Sequence, residues 1–331
     1  MIVKPHVPPT ELRILQAKIN RLVEGHPQLN DILSEYYKRA SGYYGEKSIS
    51  YYLDFLDGST TVIMHSLRLP YKKYFFQMDT LVLFTSFSLI VETKHWAGSI
   101  EVQETGEIIR TYNDVQSSFS CPVQQVKHQA WQLSEWTKYK KLTIPKLHYV
   151  SVFTKSKMII NESKNLSPLL IRSNYLLDHI RHLESSTEAT KTKTYTINEM
   201  KKIANFLKKS HQELELSKSS LDMHELKKSD IIRGVQCSGC KRISMNRMKR
   251  TWKCPECGVT SQNAHIQAII DYVFLFGRYA TTAELLEFLN IQECGVLRRL
   301  LIKLDVSRKK NSKKQKFDLL SSKEIRKGVY H

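Results

Sequence analysis

Apolar residues recur at helical spacing through residues 10–40, in ELRILQAKINRLVEG and then LNDILSEYYKRA. A break at Gly25 to Pro27 separates the two halves, and Gly42 is the expected stop of the second. In GYYGEKSISYYLDFLDG, the residues Ile49, Tyr52, Leu53 and Leu56 share one helical face that ends at Gly58. Four strand-like runs follow: TTVIMHSLRL, YFFQMDTLVLF, SFSLIVETKHW and GSIEVQETGEIIRTY. A turn at Thr85–Ser86 would fold the second run back on the third. CPVQQVKHQAWQLSEW then reads as a helix with Val123, Val126, Ala130 and Leu133 on one face, and LHYVSVFTKS as a further strand. This alternation predicts an α/β or α+β domain over residues 35–165.

Residues 1–34 precede it as a helical segment, and 166–229 follow as a polar, mostly helical connector with a loop near 185–196. Residues 230–262 hold a cysteine hairpin. In residues 263–306 a Thr281–Thr282 cap with Glu284 opens a helix from Ala283 to Leu289. A second helix runs from Glu293 to Leu304, with Leu304 and Val306 placed to start a wing. That layout resembles a winged helix-turn-helix with Arg298 and Arg299 on its second helix; the competing reading is a small helical bundle packed on the hairpin. Residues 307–331 form a basic tail containing RKKNSKKQK.

Composition narrows the partner. Of 331 residues, 41% are hydrophobic and 25% charged, as in soluble globular chains. The net charge of +19 favours a polyanion such as nucleic acid, and 19 Lys or Arg stand against 8 Asp or Glu from Cys237 onward. No apolar run is long enough to span a bilayer, so no membrane role is expected. The opening residues carry prolines and charges instead of a secretory core, which predicts a cytoplasmic protein. Four of the six cysteines form two CxxC pairs, and in a reduced compartment these point to metal.

The candidate chemistry sits where the apolar run LVLFTSFSLIV ends in ETK. Glu92 and Lys94, two apart on a strand, project to the same side. If the preceding run pairs with this one across the Thr85–Ser86 turn, Asp79 meets Glu92 and Lys94 lies just beyond. Two carboxylates a few ångströms apart repel unless a cation separates them. Mg²⁺ or Mn²⁺ would suit such oxygen ligands, and a nearby lysine would offset charge on a phosphoryl transition state. A plain surface ion pair between Glu92 and Lys94 is the alternative.

The succession GYYGEKSISYYL, QMD, VETKHWAG, CPVQQ resembles the nuclease-related domain family, a branch of the PD-(D/E)XK nuclease-like superfamily. Its pattern matches Gly42, Gly45 and Glu46, then Gln77 and Asp79, then Glu92, Lys94 and Gly98, and finally Pro122 and Gln125. Cys121 stands where that family usually has asparagine, and Gln124 competes with Gln125 for the glutamine position. The resemblance implies a restriction-endonuclease-like α/β fold, a mixed sheet flanked by helices. It further implies Glu46, Asp79, Glu92, Lys94 and Gln125 as catalytic residues, with Asp79 and Glu92 holding Mg²⁺ or Mn²⁺. By their own chemistry Glu46 is equally an acid favoured at a helix start, and Gln125 an exposed helical glutamine.

Cys237-x2-Cys240 and Cys254-x2-Cys257, thirteen residues apart, predict a four-thiolate Zn²⁺ site of zinc-ribbon type. Lys241, Arg242, Arg247, Lys249, Arg250 and Lys253 surround Trp252 on this hairpin, a composition suited to phosphate contact and base stacking. With Arg298 and Arg299 they are the expected nucleic-acid contacts. The function expected is that of a metal-dependent nuclease, with DNA the favoured substrate. The alternative is a non-catalytic DNA-binding or regulatory protein that uses the same fold as a platform. No GxxxxGK[ST] motif occurs, so ATP-driven unwinding would need a separate helicase partner.

Overall fold

The computed structural model describes residues 1–103, 107–161, 167–189, 194–308 and 315–330. The chain begins with β1 (Ile2–Lys4), α1 (Thr10–Arg21), α2 (Leu29–Ser48) and α3 (Ser50–Leu53). It divides into two compact units: Met1–His6 with Ser41–Glu213, and Val7–Ala40 with Leu214–His331. Among the described residues no helix is long and apolar enough to cross a membrane.

The first unit continues with β2 (Thr61–Tyr71), β3 (Tyr74–Phe84), β4 (Phe87–Lys94), β5 (Ser99–Val102), β6 (Ile108–Tyr112) and β7 (Val115–Phe119). Then come α4 (Pro122–Tyr139), β8 (Lys146–Phe153), β9 (Ile159–Ile160), β10 (Leu170–Arg172), α5 (Leu176–Ala189) and α6 (Ile197–Ser210). The main sheet has the order β1-β2-β3-β4-β8-β10, and a smaller one the order β7-β6-β5-β9. β2, β3 and β4 are antiparallel neighbours, whereas β4, β8 and β10 run parallel. This mixed sheet flanked by helices is the α/β fold expected of residues 35–165.

Burial on both faces explains why the central strands read as near-continuous apolar runs. Ile90 packs with Leu81 and Met64 against Val126, Ala130 and Leu133 of α4 and Met200 and Ile203 of α6. Its neighbours Leu89 and Val91 face the opposite way, towards Ile49 and Leu53 and towards Leu176 and Ile180 of α5. At about 25 cal/mol per Å² of apolar surface, this double-sided burial is the main stabilising term of the unit.

Three expectations change. The first residues are not purely helical: β1 pairs in parallel with β2 at the sheet edge. Residues up to 213 do not act as a connector, because β10 extends the sheet and α6 covers it. A Thr196–Glu199 capping box fixes the start of α6. Finally, α2 does not stop at Gly42 but runs on to Ser48. Two helical glycines cost about 1 kcal/mol each relative to alanine, which tertiary packing outweighs here. Gly45 has a packing reason, since a Cβ there would overlap the His95 side chain. Gly98, at φ +94°, likewise leaves room for the Thr111 carbonyl where the β5–β6 hairpin begins.

The second unit holds β11 (Val235–Gln236), β12 (Ile243–Arg247), β13 (Trp252–Lys253), β14 (Thr260–Ser261), α7 (Ala264–Phe276), β15 (Tyr279–Thr281) and α8 (Thr282–Leu289). It ends with α9 (Cys294–Lys303), β16 (Ser307–Arg308), β17 (Lys316–Asp318) and α10 (Lys323–Tyr330). β11 to β14 make an antiparallel ribbon, and β15-β17-β16 a second small sheet. The succession helix, strand, two helices and a β-wing has the layout of a winged helix-turn-helix. The residues expected as a basic tail therefore supply both wing strands and a closing helix. The middle of the basic run, residues 309–314, lies outside the described residues. Thr281 caps α8 by accepting the Glu284 N–H at 3.2 Å while Glu284 accepts from Thr281. α1 joins this unit through a buried pair, Arg21 Nε to Asp271 Oδ2 at 2.7 Å.

Gly45→Ala tests the close approach of α2 to His95. It is expected to lower stability by about 1–3 kcal/mol, the usual cost of overpacking. Urea denaturation reads this, and an unchanged midpoint would show that His95 moves aside freely.

Candidate active site and zinc centre

The β3–β4 ladder pairs Leu81 with Ile90 and Thr80 with Val91. The ladder ends there, and Asp79, the next residue of β3, lies near the Glu92 carboxylate. Asp79 Oδ2 accepts the Thr93 N–H at 2.9 Å, which fixes that carboxylate to the end of β4. Glu92 is 2% exposed and bonded on both oxygens. Its Oε1 accepts from Lys94 Nζ at 2.7 Å, and its Oε2 from Gln129 Nε2 at 2.8 Å. Lys94 also donates to Gln125 Oε1 at 2.9 Å.

Helix α4 thus places two glutamines, one turn apart, over the acid and the lysine. Pro122 opens this helix at its first position, and Cys121 before it makes no side-chain cap. Gln125, not Gln124, is the glutamine that reaches the site. Gln129 was missed by sequence reasoning, although its signal was present: it lies four residues after Gln125, on the same face as Val126 and Ala130.

Glu46 approaches from the last turns of α2. Burial, then the Glu92 carboxylate, push its acid up to about 7, against the pull of Lys94. Burial, then Glu92 and Glu46, likewise hold Asp79 well above the usual carboxylate range. Glu46, Asp79, Glu92, Lys94 and Gln125 are therefore brought together at one end of the sheet. His95, which alternates away from them, bonds Thr154 Oγ1 through Nδ1 at 2.7 Å, and Trp96 packs on Phe119 and Phe153. A groove of about 560 Å³ lies elsewhere in the unit, beside Thr137, Lys141 and Pro145.

In the second unit the four cysteines converge. All four Sγ atoms lie within 4.8 Å of one another, with Cys237–Cys257 at 3.5 Å and Cys240–Cys254 at 3.7 Å. A tetrahedron with Zn–S bonds of about 2.3 Å has edges of roughly 3.8 Å, so the spacing fits Zn²⁺. The Gly239 N–H donates to Cys237 Sγ at 3.3 Å, the kind of bond that orients a thiolate ligand. The cluster thus fits a zinc ribbon.

The basic residues of the ribbon divide. Lys241, Arg242, Lys249, Arg250 and Lys253 are exposed, and Arg242 pairs with Glu256 at 2.8 Å. Arg298 and Arg299 are exposed on α9. Trp252 is not an available stacking platform: it is 1% exposed and packs in the core of the second unit. Its Nε1 donates to His265 Nδ1 at 3.2 Å, and Arg247 lies over its ring at 5.3 Å. A large indole next to a small ribbon gains more from burial than from solvent, which the local run of basic residues concealed.

The two sites predict separate behaviour. Protein purified without added metal should contain about one zinc per chain by elemental analysis, the stoichiometry of a closed four-thiolate site, lost in Cys254→Ser/Cys257→Ser. Zinc-free but folded wild type would refute the centre. Glu46 makes a pH prediction. Unfolded, it ionises at its ordinary 4.5; folded, at about 7. Between those values the native state keeps a proton that the unfolded state has lost, so its contribution to stability falls as pH rises. Without added divalent ion, Glu46→Gln should gain stability relative to wild type from pH 4.5 to 7 and hold that gain above. Thermal unfolding across this range checks it, and a pH-independent difference would rule it out.

The family model for the nuclease-related domain matches residues 41–154. No curated protein and no solved structure gives a significant match to the chain. The matched segment runs from the last turns of α2 to the end of β8 and takes in every element that builds the carboxylate site. Residues 41–154 are therefore a nuclease-related domain.

Proposed function

We propose that this protein is a metal-dependent nuclease that hydrolyses phosphodiester bonds, with DNA the favoured substrate. The observation that carries this reading is the gathering of Asp79 and Glu92 at the end of β4, with Lys94 bonded to Glu92.

The donor set fits a hard divalent ion. Among the described residues, only the four cysteines form a convergent group of three or more ligand-type side chains. The carboxylates therefore do not close a cage. Mg²⁺ does not need one, because it commonly keeps several waters and takes one or two carboxylates. Asp79 and Glu92 would hold Mg²⁺ or Mn²⁺, and Asp79 Oδ1 has no hydrogen bond among the described residues. Bound there, such an ion supplies charge to the scissile phosphate and lowers the pKa of water.

The remaining roles belong to the chain. Glu46, titrating near neutrality, can take a proton from an attacking water on its carboxylate oxygen. Lys94 Nζ offsets the charge that grows on the phosphoryl oxygens. Gln125 Oε1 holds that ammonium in place, and Gln129 Nε2 fixes the rotation of Glu92. In the second unit, Zn²⁺ held by Cys237, Cys240, Cys254 and Cys257 would staple a ribbon too small to fold on its own core.

One observation favours a non-catalytic platform: both Glu92 oxygens are already satisfied by protein donors. Single-turnover cleavage of plasmid and linear DNA in Mg²⁺ or Mn²⁺ separates the readings. Asp79→Ala is expected to abolish cleavage. Lys94→Ala should slow it about a hundredfold to a thousandfold, while DNA affinity measured in Ca²⁺ changes little. Circular dichroism confirms that each variant is folded. A Lys94→Ala rate within about threefold of wild type would remove the lysine from the chemistry, and cleavage undiminished in Asp79→Ala would refute the site.

A further inference from the structure

Helix α4 carries a second row of side chains beside the one that faces the sheet. Gln125, His128 and Trp131 recur at three-residue spacing, which makes one inclined ridge on a helix surface, and all three are exposed. Gln125 roots this ridge in the carboxylate site, where its Oε1 accepts from Lys94 Nζ at 2.9 Å. Six residues at 1.5 Å each then carry the ridge about 9 Å along the helix to Trp131.

Trp131 is 54% exposed, whereas Trp136 and Trp252 are 0% and 1% exposed. An indole left in water forgoes the burial that the other two gain, so its place on the surface asks for a reason. Nor does it stand loose. His128 stacks on it, with ring centroids 5.7 Å apart and planes 9° from parallel. The pair makes a flat, largely apolar plate on a helix that the sheet holds in place. Charge around the plate suits a polyanion. Lys127 is exposed beside His128, and α4 carries no acid before Glu135, which pairs with Lys138 at 2.7 Å.

We infer that the His128–Trp131 plate stacks an unpaired base of a strand whose backbone passes Lys94, so that the substrate class of the site is single-stranded DNA. Every base has a π-face, so such a plate grips a strand without reading its sequence. In an unbroken duplex those faces are already covered by neighbouring base pairs, and the plate has nothing to take. The course of the backbone past Lys94 rests on the nuclease reading proposed above, whereas stacking needs no turnover and is measured apart from it.

The test is a titration of full-length protein in Ca²⁺ with oligothymidylate, an abasic strand of equal length and a blunt duplex. Tryptophan fluorescence reports on the plate, and anisotropy of a labelled strand gives the affinity. Oligothymidylate should quench the emission of the exposed indole. Trp131→Ala should abolish that quench and weaken oligothymidylate binding roughly tenfold, the usual worth of one stacked base. Trp131→Phe, which keeps a ring, should retain most of the affinity. The abasic strand should bind wild type about as weakly as oligothymidylate binds Trp131→Ala, and duplex affinity should be the same in both proteins. Absence of a quench in wild type, or an oligothymidylate affinity within about twofold of wild type in folded Trp131→Ala, would overturn the plate. An equal loss for the blunt duplex would overturn the requirement for unpaired bases. Asp79→Ala should quench as wild type does, so a quench without any cleavage in Mg²⁺ fails the nuclease reading alone. Cleavage by a wild type whose binding does not depend on Trp131 fails the plate alone.

Discussion

Three carboxylates and one ammonium crowded at the end of β4 are the constraint around which the first unit is arranged. Left alone, Asp79, Glu92 and Glu46 repel one another, and burial makes each charge dearer still. The fold tolerates this because Lys94 bonds Glu92, Gln129 takes the other oxygen, and the Thr93 amide holds Asp79. The remainder is relieved by protons, since Glu46 and Asp79 both hold theirs more tightly than free acids do. A divalent cation, if bound there, would displace those protons and neutralise the cluster at once.

Rigidity around the cluster comes from the sheet. β3 and β4 are covered on both faces, so neither strand can slip by one residue without turning Ile90 and Val91 out of their cores. That register is what keeps Asp79 beside the Thr93 amide and the end of β4. Helix α4 serves both purposes, presenting Val126, Ala130 and Leu133 to the core and Gln125 and Gln129 to the site. Gly45 lets α2 come near enough to His95 to deliver Glu46.

The second unit solves a different problem. A ribbon of two- to five-residue strands buries too little to stand alone, and so does a short winged helix. Four converging thiolates and a common core around Trp252 and Ile269 join them. Basic side chains then remain on the outside of a body whose core is set, so a merely basic composition becomes a fixed arrangement of surface charge.

Local chemistry was legible in the sequence. β3, β4 and α4 followed from period two and period 3.6, the cap at Thr281 from its Glu284, and the four-cysteine cluster from thiolate spacing, because each depends on residues a few positions apart. The order of motifs was enough to anticipate the nuclease-related domain. What the tertiary structure decided was non-local. INEMKKIANFLKKS is amphipathic in sequence, but only the folded chain shows that its apolar face covers the main sheet. Gly42 read as a stop, and α2 passes through it and Gly45 because the energy of packing exceeds their helix cost. Trp252 sits among basic residues in the chain and among apolar ones in space, so its burial could not be read from its neighbours. Periodicity records which face of an element is apolar; which partner covers that face is fixed by contacts hundreds of residues apart.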